Sequence, residues 1–143
     1  MTRSVSRSIV VQAAPAAVFA VLEDPRRHAD FDGSGSVKGN LKAPAKLSKG
    51  AKFGMKMRIG FPYTITNEVV EFEQDRLIAW QHFGKHIWRY ELEAVGEGTR
   101  VTESFDWEHA RSPRFIELMK YPSKNAVSME KTLERLKVLV DAP

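Results

Sequence analysis

Hydrophobic and polar positions alternate along Ser4-Val5-Ser6-Arg7-Ser8-Ile9-Val10-Val11, and the run ends β-branched, which predicts a first strand. The period then lengthens. Val18, Val21 and Leu22 recur on one helical face, and Pro15 suits the first turn of that helix because its missing N–H would have no partner there. Asp24-Pro25 ends this helix and opens a second short one through Arg26-Arg27-His28, with Asp24 placed to cap it. Phe31-Asp32-Gly33-Ser34-Gly35-Ser36 then dissolves into a loop. Beyond it the two-residue period returns at about 37–42, 52–59, 63–73, 77–83, 87–95 and 99–108, split by turn residues, as in one antiparallel meander. Ser112-Pro113 supplies an N-cap and a first-turn proline. Phe115, Met119, Ala126, Met129, Leu133, Leu136 and Val140 follow as one apolar stripe of a long C-terminal helix, which Pro122 bends or breaks near Tyr121. The expected class is α+β, with about seven antiparallel strands, over one domain spanning 1–143.

Hairpin parity assigns the faces. In strand 87–95, Trp88, Tyr90 and Leu92 share one side and charged residues the other, so the aromatic side faces inward. A three-residue loop Gly84-Lys85-His86 pairs His82 with Trp88, Trp80 with Tyr90 and Ile78 with Leu92 and keeps the apolar sets together. A two-residue loop would set Gln81 beside Trp88 and flip every side chain. Around Gly96-Glu97 the pairs are Leu92 with Val101, Tyr90 with Glu103 and Trp88 with Phe105, which turns Glu103 inward. A turn Gln74-Asp75-Arg76 sets Phe72 opposite Ile78 and Val70 opposite Trp80, unless a bulge intervenes. The inward face is thus aromatic with a few polar groups, notably His82 and Glu103. Such a surface suits a ligand cavity and a filled core equally well.

Composition narrows the chemistry. At 143 residues and 43% hydrophobic, the chain has one domain's worth of apolar material, no run near the roughly 18 residues of a membrane span, and no apolar leader after Met1-Thr2-Arg3-Ser4, so a cytoplasmic protein is expected. The absence of cysteine excludes disulfides, thiolate catalysis and Cys-ligated metals. Four histidines raise the question of a metal, and His82 and His86 have i, i+4 spacing, but they fall on a hairpin; no metal site and no cofactor are expected. His109, with Asp106 and Glu108 at a strand end, reads as solvated. The net charge of +4 comes from residues such as Lys38, Lys42, Lys46, Lys49, Lys52, Lys56 and Arg58, spaced along one region as a solvated face rather than clustered for nucleic acid. No nucleophile elbow is present, and Gly50, Gly54 and Gly60 are too dispersed to cradle phosphates.

The order of elements, with Ala14-Pro15 opening the first helix and Asp24-Pro25 after it, resembles the SRPBCC (START-like) superfamily over nearly the whole chain. The similarity is carried by Val18-Phe19-Ala20-Val21-Leu22-Glu23-Asp24-Pro25, Gly98-Thr99-Arg100-Val101-Thr102-Glu103 and Met129-Glu130-Lys131-Thr132-Leu133-Glu134-Arg135-Leu136, and is greatest to the bacterial polyketide cyclase/dehydrase group. The resemblance implies a helix-grip fold, a sheet wrapped around the C-terminal helix and enclosing a deep apolar pocket. It also places Arg27–Ser36 at the pocket mouth, as a mobile gate or as a self-satisfied glycine-rich connection.

Three functions are then open. The first is binding of an aromatic polyketide-like or lipid-like molecule by Phe31, Met55, Met57, Tyr63, Trp80, His82, Trp88, Tyr90, Phe105, Trp107, Phe115 and Met119, whose rings and thioethers offer stacking and adaptable apolar contact. The second is a cyclase or dehydratase in which His82 and Glu103 exchange protons, with Tyr90 or Tyr63 as hydroxyl donor. The third is a protein-interaction module. A monomer or homodimer without nucleic-acid or integral-membrane partners is expected.

Overall fold

The computed structural model describes residues 3–33, 37–40, 44–82 and 84–141. Strand β1 (Ser4–Val11) leads to helix α1 (Pro15–Leu22), a 3-10 turn (Pro25–Arg27) and helix α2 (His28–Phe31). A short strand β2 (Val37–Asn40) precedes β3 (Lys52–Ile59), β4 (Phe61–Glu73), β5 (Leu77–Gln81), β6 (Ile87–Val95) and β7 (Gly98–Asp106), and helices α3 (Pro113–Leu118) and α4 (Tyr121–Asp141) end the chain. The long strands lie antiparallel in the order β1-β7-β6-β5-β4-β3, with β2 extending the far edge. This is the α+β helix-grip arrangement. Among the described residues no helix is long and apolar enough to cross a membrane. Sequence positions 34–36, 41–43 and 83 lie outside the described residues, and with them the second part of the expected gate, the end of the first meander segment and Lys42. Lys46, Lys49, Lys52, Lys56 and Arg58 are all exposed.

Helix α4 is held against the sheet by its apolar stripe. Ala126, Met129, Thr132, Leu133 and Leu136 are buried, and the helix flanks are pinned to β1 by Arg7 donating to Glu130 at 3.0 Å and by the Gln12 N–H donating to Asp141 at 2.7 Å. Pro122 breaks the C-terminal helix rather than bending it. Lys120 takes a left-handed φ of 59° between α3 and α4, and the proline occupies the first turn of α4, where no N–H is needed. The break turns α3 out of line, so Phe115 and Met119 are 52% and 40% exposed and Ile116 is buried in their place.

One half of the interior is solid. Val18, Phe19, Val21 and Leu22 of α1 pack on Ile78, Leu92 and Val101, and Phe19 meets Phe72 edge-on at 5.5 Å. The approach to the other half is set by Asp24, which accepts the Arg26 N–H at 3.0 Å and so caps the 3-10 turn from which α2 starts. Asp24→Ala is expected to cost about 1 kcal/mol; a urea midpoint equal to that of the wild type would show the cap to be idle.

Two pairings depart from the expected register. The β5–β6 partners are Trp80 with Trp88 and Ile78 with Tyr90, a shift of two residues that preserves the faces and lengthens the loop to 82–86. Lys85 takes a φ of 65° in that loop. In β4 a bulge between Val69 and Glu71 replaces Val70 by Val69 opposite Trp80, while Phe72 still faces Ile78. The β6–β7 register, with Tyr90 opposite Glu103 and Trp88 opposite Phe105, is as parity requires.

Candidate functional site

A cavity of about 630 Å³ lies between the inner sheet face and the helices α2, α3 and α4. Its sheet wall is Met55, Met57, Tyr63, Trp80, Trp88, Tyr90, Glu103 and Phe105, and its helical wall includes Phe31, Phe115, Tyr121 and Met129. Trp107 and Met119, expected in the wall, are absent from it. Strand β7 stops at Asp106, so Trp107 leaves the alternation, stacks on Phe105 at 5.5 Å and donates its indole N–H to Glu117 at 2.9 Å. Met119 ends α3 on the outside of the molecule.

The inner end is built by α2. Its single turn places His28 and Phe31 on one face, both buried, with His28 stacked on Trp80 at 4.8 Å and 20°. His28 Nε2 lies 2.9 Å from the Leu22 carbonyl, which only accepts, so Nε2 carries the hydrogen and Nδ1 is a bare acceptor without a partner. Burial lowers the His28 pKa to about 4, which keeps the ring neutral. Beside it, Tyr90 donates its hydroxyl to Glu103 Oε2 at 2.9 Å, while Oε1 has no partner. Burial pushes Glu103 up to about 8 against the opposing pull of that hydrogen bond, and the charge of Asp32 raises it further.

His82 is not the partner of Glu103. It faces His86 edge-on with centroids 4.2 Å apart, and His86 in turn lies against Phe105. Both histidines line the cavity rather than one, because the five-residue loop folds them over its outer part. His82 Nδ1 accepts the Gly84 N–H at 3.2 Å. Burial lowers both pKa values, that of His86 to about 4 with help from its neighbour. His109 is exposed, and Asp106 receives Arg89 at 3.4 Å on the outer face.

Several wall residues were not singled out from the sequence. Asn67 is legible in retrospect, since Tyr63, Ile65, Asn67 and Val69 share one face of β4; its amide donates to Met55 Sδ at 3.3 Å. Tyr121, Asn125, Ser128 and Thr132 recur at helical spacing beside the apolar stripe and give the cavity a polar seam. His28 is signalled only by its i, i+3 relation to Phe31, in a helix too short for periodicity to register.

The segment after α2 is fastened to α4. The Gly33 N–H donates to Thr132 Oγ1 at 2.8 Å, and Arg135 donates to the Asp32 carbonyl at 2.6 Å. A Cβ at position 33 would collide with the Ser128 carbonyl and stand 2.5 Å from the Thr132 nitrogen, so only glycine lets the two backbones approach this closely.

Comparison with known proteins agrees with this geometry. Residues 2–141 match the family described as polyketide cyclase/dehydrase and lipid transport. The uncharacterised protein Rv0088 of Mycobacterium tuberculosis is 44% identical over 138 residues, covering 92% of this chain and 62% of that protein, so the chain spans about three fifths of this relative. Among solved structures, Ms6760 of Mycobacterium smegmatis has a TM-score of 0.74 at 14% identity, covering 96% of this chain and 90% of that one. CV1439 of Chromobacterium violaceum has a TM-score of 0.73 at 16% identity, covering 98% and 99%. At those identities the two structures speak to fold alone. Fold and family match coincide over nearly every described residue, and the chain belongs to the SRPBCC-type polyketide cyclase/dehydrase and lipid transport family.

Proposed function

We propose that the protein binds a hydrophobic small molecule, aromatic or lipid-like, in the cavity between sheet and helices. The observation that carries this reading is the volume itself. A concavity of about 630 Å³, walled mainly by aromatic and thioether side chains, falls within the span of ligand pockets. Rings of Trp80, Trp88 and Tyr90 supply flat contact area, and Met55 and Met57 adapt to irregular shape. The family's printed description, which names both polyketide chemistry and lipid transport, supports the same class of guest. Native mass spectrometry of the purified protein, followed by extraction, is expected to release one hydrophobic molecule per chain, and added naphthalene-sized aromatics are expected to quench Trp80 and Trp88 with 1:1 saturation. A bare protein mass together with no quenching and no thermal shift would sink the reading.

A second reading, acid–base cyclisation or dehydration, is favoured by one feature: a carboxyl at Glu103 held by Tyr90 and a neutral imidazole at His28 stacked on Trp80, with Tyr90 and Trp80 themselves in ring contact at 5.6 Å. In that reading His28 takes the place expected of His82, and Tyr90 holds the carboxyl in position. Loss of turnover in Glu103→Gln with guest affinity retained would identify the enzyme; a carrier would show no turnover to lose.

A further inference from the structure

We infer that the outer end of the cavity opens through an apolar rim flanked by cations, and that this rim docks the protein on an anionic lipid surface. The inference goes beyond the binding reading and does not rest on it. Among the described residues, the members of the cavity wall that are exposed rather than buried or half-buried are Arg111, Ser112 and Phe115, so the opening lies at α3. Bare apolar side chains gather beside it. Phe61, Phe115, Leu118 and Met119 are four of the seven large hydrophobic residues left exposed among those described, Phe61 at 67% and Leu118 at 77%. Ring contacts tie both groups to the opening: Phe61 lies against Tyr63 at 5.7 Å in the sheet wall, and Phe115 against Tyr121 at 6.4 Å in the helical wall. Each group stands on a tip. Gly60 turns β3 into β4 with a φ of 76°, where an added Cβ would meet nothing within 4 Å, and the break at Lys120 turns α3 out of line. Single exposed hydrophobic residues are ordinary, but a cluster of them around an apolar cavity marks a contact surface.

Charge selects the partner. Segments 53–67 and 110–129, the hairpin tip and the α3 region, hold Lys56, Arg58, Arg111, Arg114, Lys120 and Lys124 against the single acid Glu117, while the rest of the chain holds 16 basic against 17 acidic residues. The positive excess of the whole chain is thus gathered around this opening. Glu117 does little to offset it, since its carboxylate already accepts from Arg3 at 3.1 Å and from the Trp107 indole at 2.9 Å. A second copy of the chain on this rim would set like charges against each other. An acidic protein would match the charge, but two tips on opposite walls of an opening offer it no continuous apolar face. A lipid surface supplies both complements together, with anionic headgroups for the cations and an acyl boundary beneath them for Phe61, Phe115 and Leu118.

The test is sedimentation of the purified protein with vesicles of phosphatidylcholine and with vesicles of equal parts phosphatidylcholine and phosphatidylglycerol. Binding to the anionic vesicles is expected to exceed binding to the neutral ones by about tenfold or more, and to be lost in high salt. Arg114→Gln and Lys124→Gln are each expected to weaken it about fivefold, and the double variant Phe61→Ser/Leu118→Ser about tenfold or more. Because the chain has no cysteine, one introduced thiol can carry an environment-sensitive dye. The dye on Phe61→Cys or Leu118→Cys is expected to shift to the blue on anionic vesicles, whereas the dye on Val138→Cys, exposed near the far end of α4, is expected to stay unchanged. Equal binding to both kinds of vesicle, or a shift at position 138 in place of 61 and 118, would overturn the inference. So would retention on immobilised polyglutamate without any binding to vesicles, which would give the rim to an acidic protein. The vesicles carry no guest, so each of these failures leaves the cavity reading standing, and the wild-type sedimentation decides without the variants.

Discussion

Replacement of Glu103 by glutamine is expected to stabilise the protein at alkaline pH, by roughly 2 kcal/mol over the interval from pH 6 to pH 8 alone. Folding moves the Glu103 pKa from an unfolded value near 4.5 up to about 8. Between these limits the unfolded chain has released its proton and the folded chain has kept it, so stability falls as pH rises, by about 1.36 kcal/mol per unit. Glutamine keeps the acceptor for Tyr90 and has no proton to lose. The buried imidazole acts in the opposite direction. His28 falls from 6.5 unfolded to about 4 folded, so its contribution is complete above pH 6.5 and is lost as pH drops toward 4. His86 moves the same way. Wild-type stability should therefore peak near pH 6.5, whereas Glu103→Gln should hold its plateau to higher pH. Urea denaturation at pH 5, 6.5 and 8 measures this directly. Parallel loss of stability in both proteins above pH 6.5 would mean that the carboxyl is solvated and ionised in the folded state.

Gly33→Ala is expected to cost about 2 kcal/mol and to speed release of a bound guest about tenfold. The added Cβ runs into the α4 backbone at Ser128 and Thr132, which cannot yield as a flexible side chain would. The segment must back away, and the bonds from Gly33 to Thr132 and from Arg135 to the Asp32 carbonyl go with it. His28, Phe31 and Asp32, carried on that segment, are then no longer held against the cavity. Stopped-flow displacement with a quenching aromatic gives the release rate. A rate unchanged in a variant destabilised as expected would show that guests leave by another face.

Much of this fold is legible in the sequence because its signals are local or paired. Period-2 runs, Pro15, the Asp24 cap and the charged outer face of β6 each specify one element, and hairpin parity carries Tyr90 and Glu103 inward to the hydrogen bond they form. Parity says nothing of displacement by two residues, which is why the loop 82–86 lengthens unannounced and carries His82 away from Glu103. The inner end of the cavity is harder to read still. His28 reaches Trp80 only through the path of the 3-10 turn and α2, a tertiary fact with no period behind it. The distinction between an aromatic core and an aromatic cavity is likewise a matter of volume left unfilled, and volume has no signature along a chain.

Helix α4 covers the aromatic face of the sheet and follows every strand in the order of the elements. On a ribosome that order becomes an order in time. The 35 residues from the end of β7 at Asp106 to the end of α4 at Asp141 take about 2–7 s to synthesise at ordinary elongation rates. Trp80, Trp88, Tyr90 and Phe105 therefore come free of the ribosome before α4 can roof them, and β1 must find β7 across nearly a hundred residues to frame the surface they form. The nascent chain is therefore most exposed to chaperones and to aggregation once its sheet has emerged and while α4 is still in the exit tunnel.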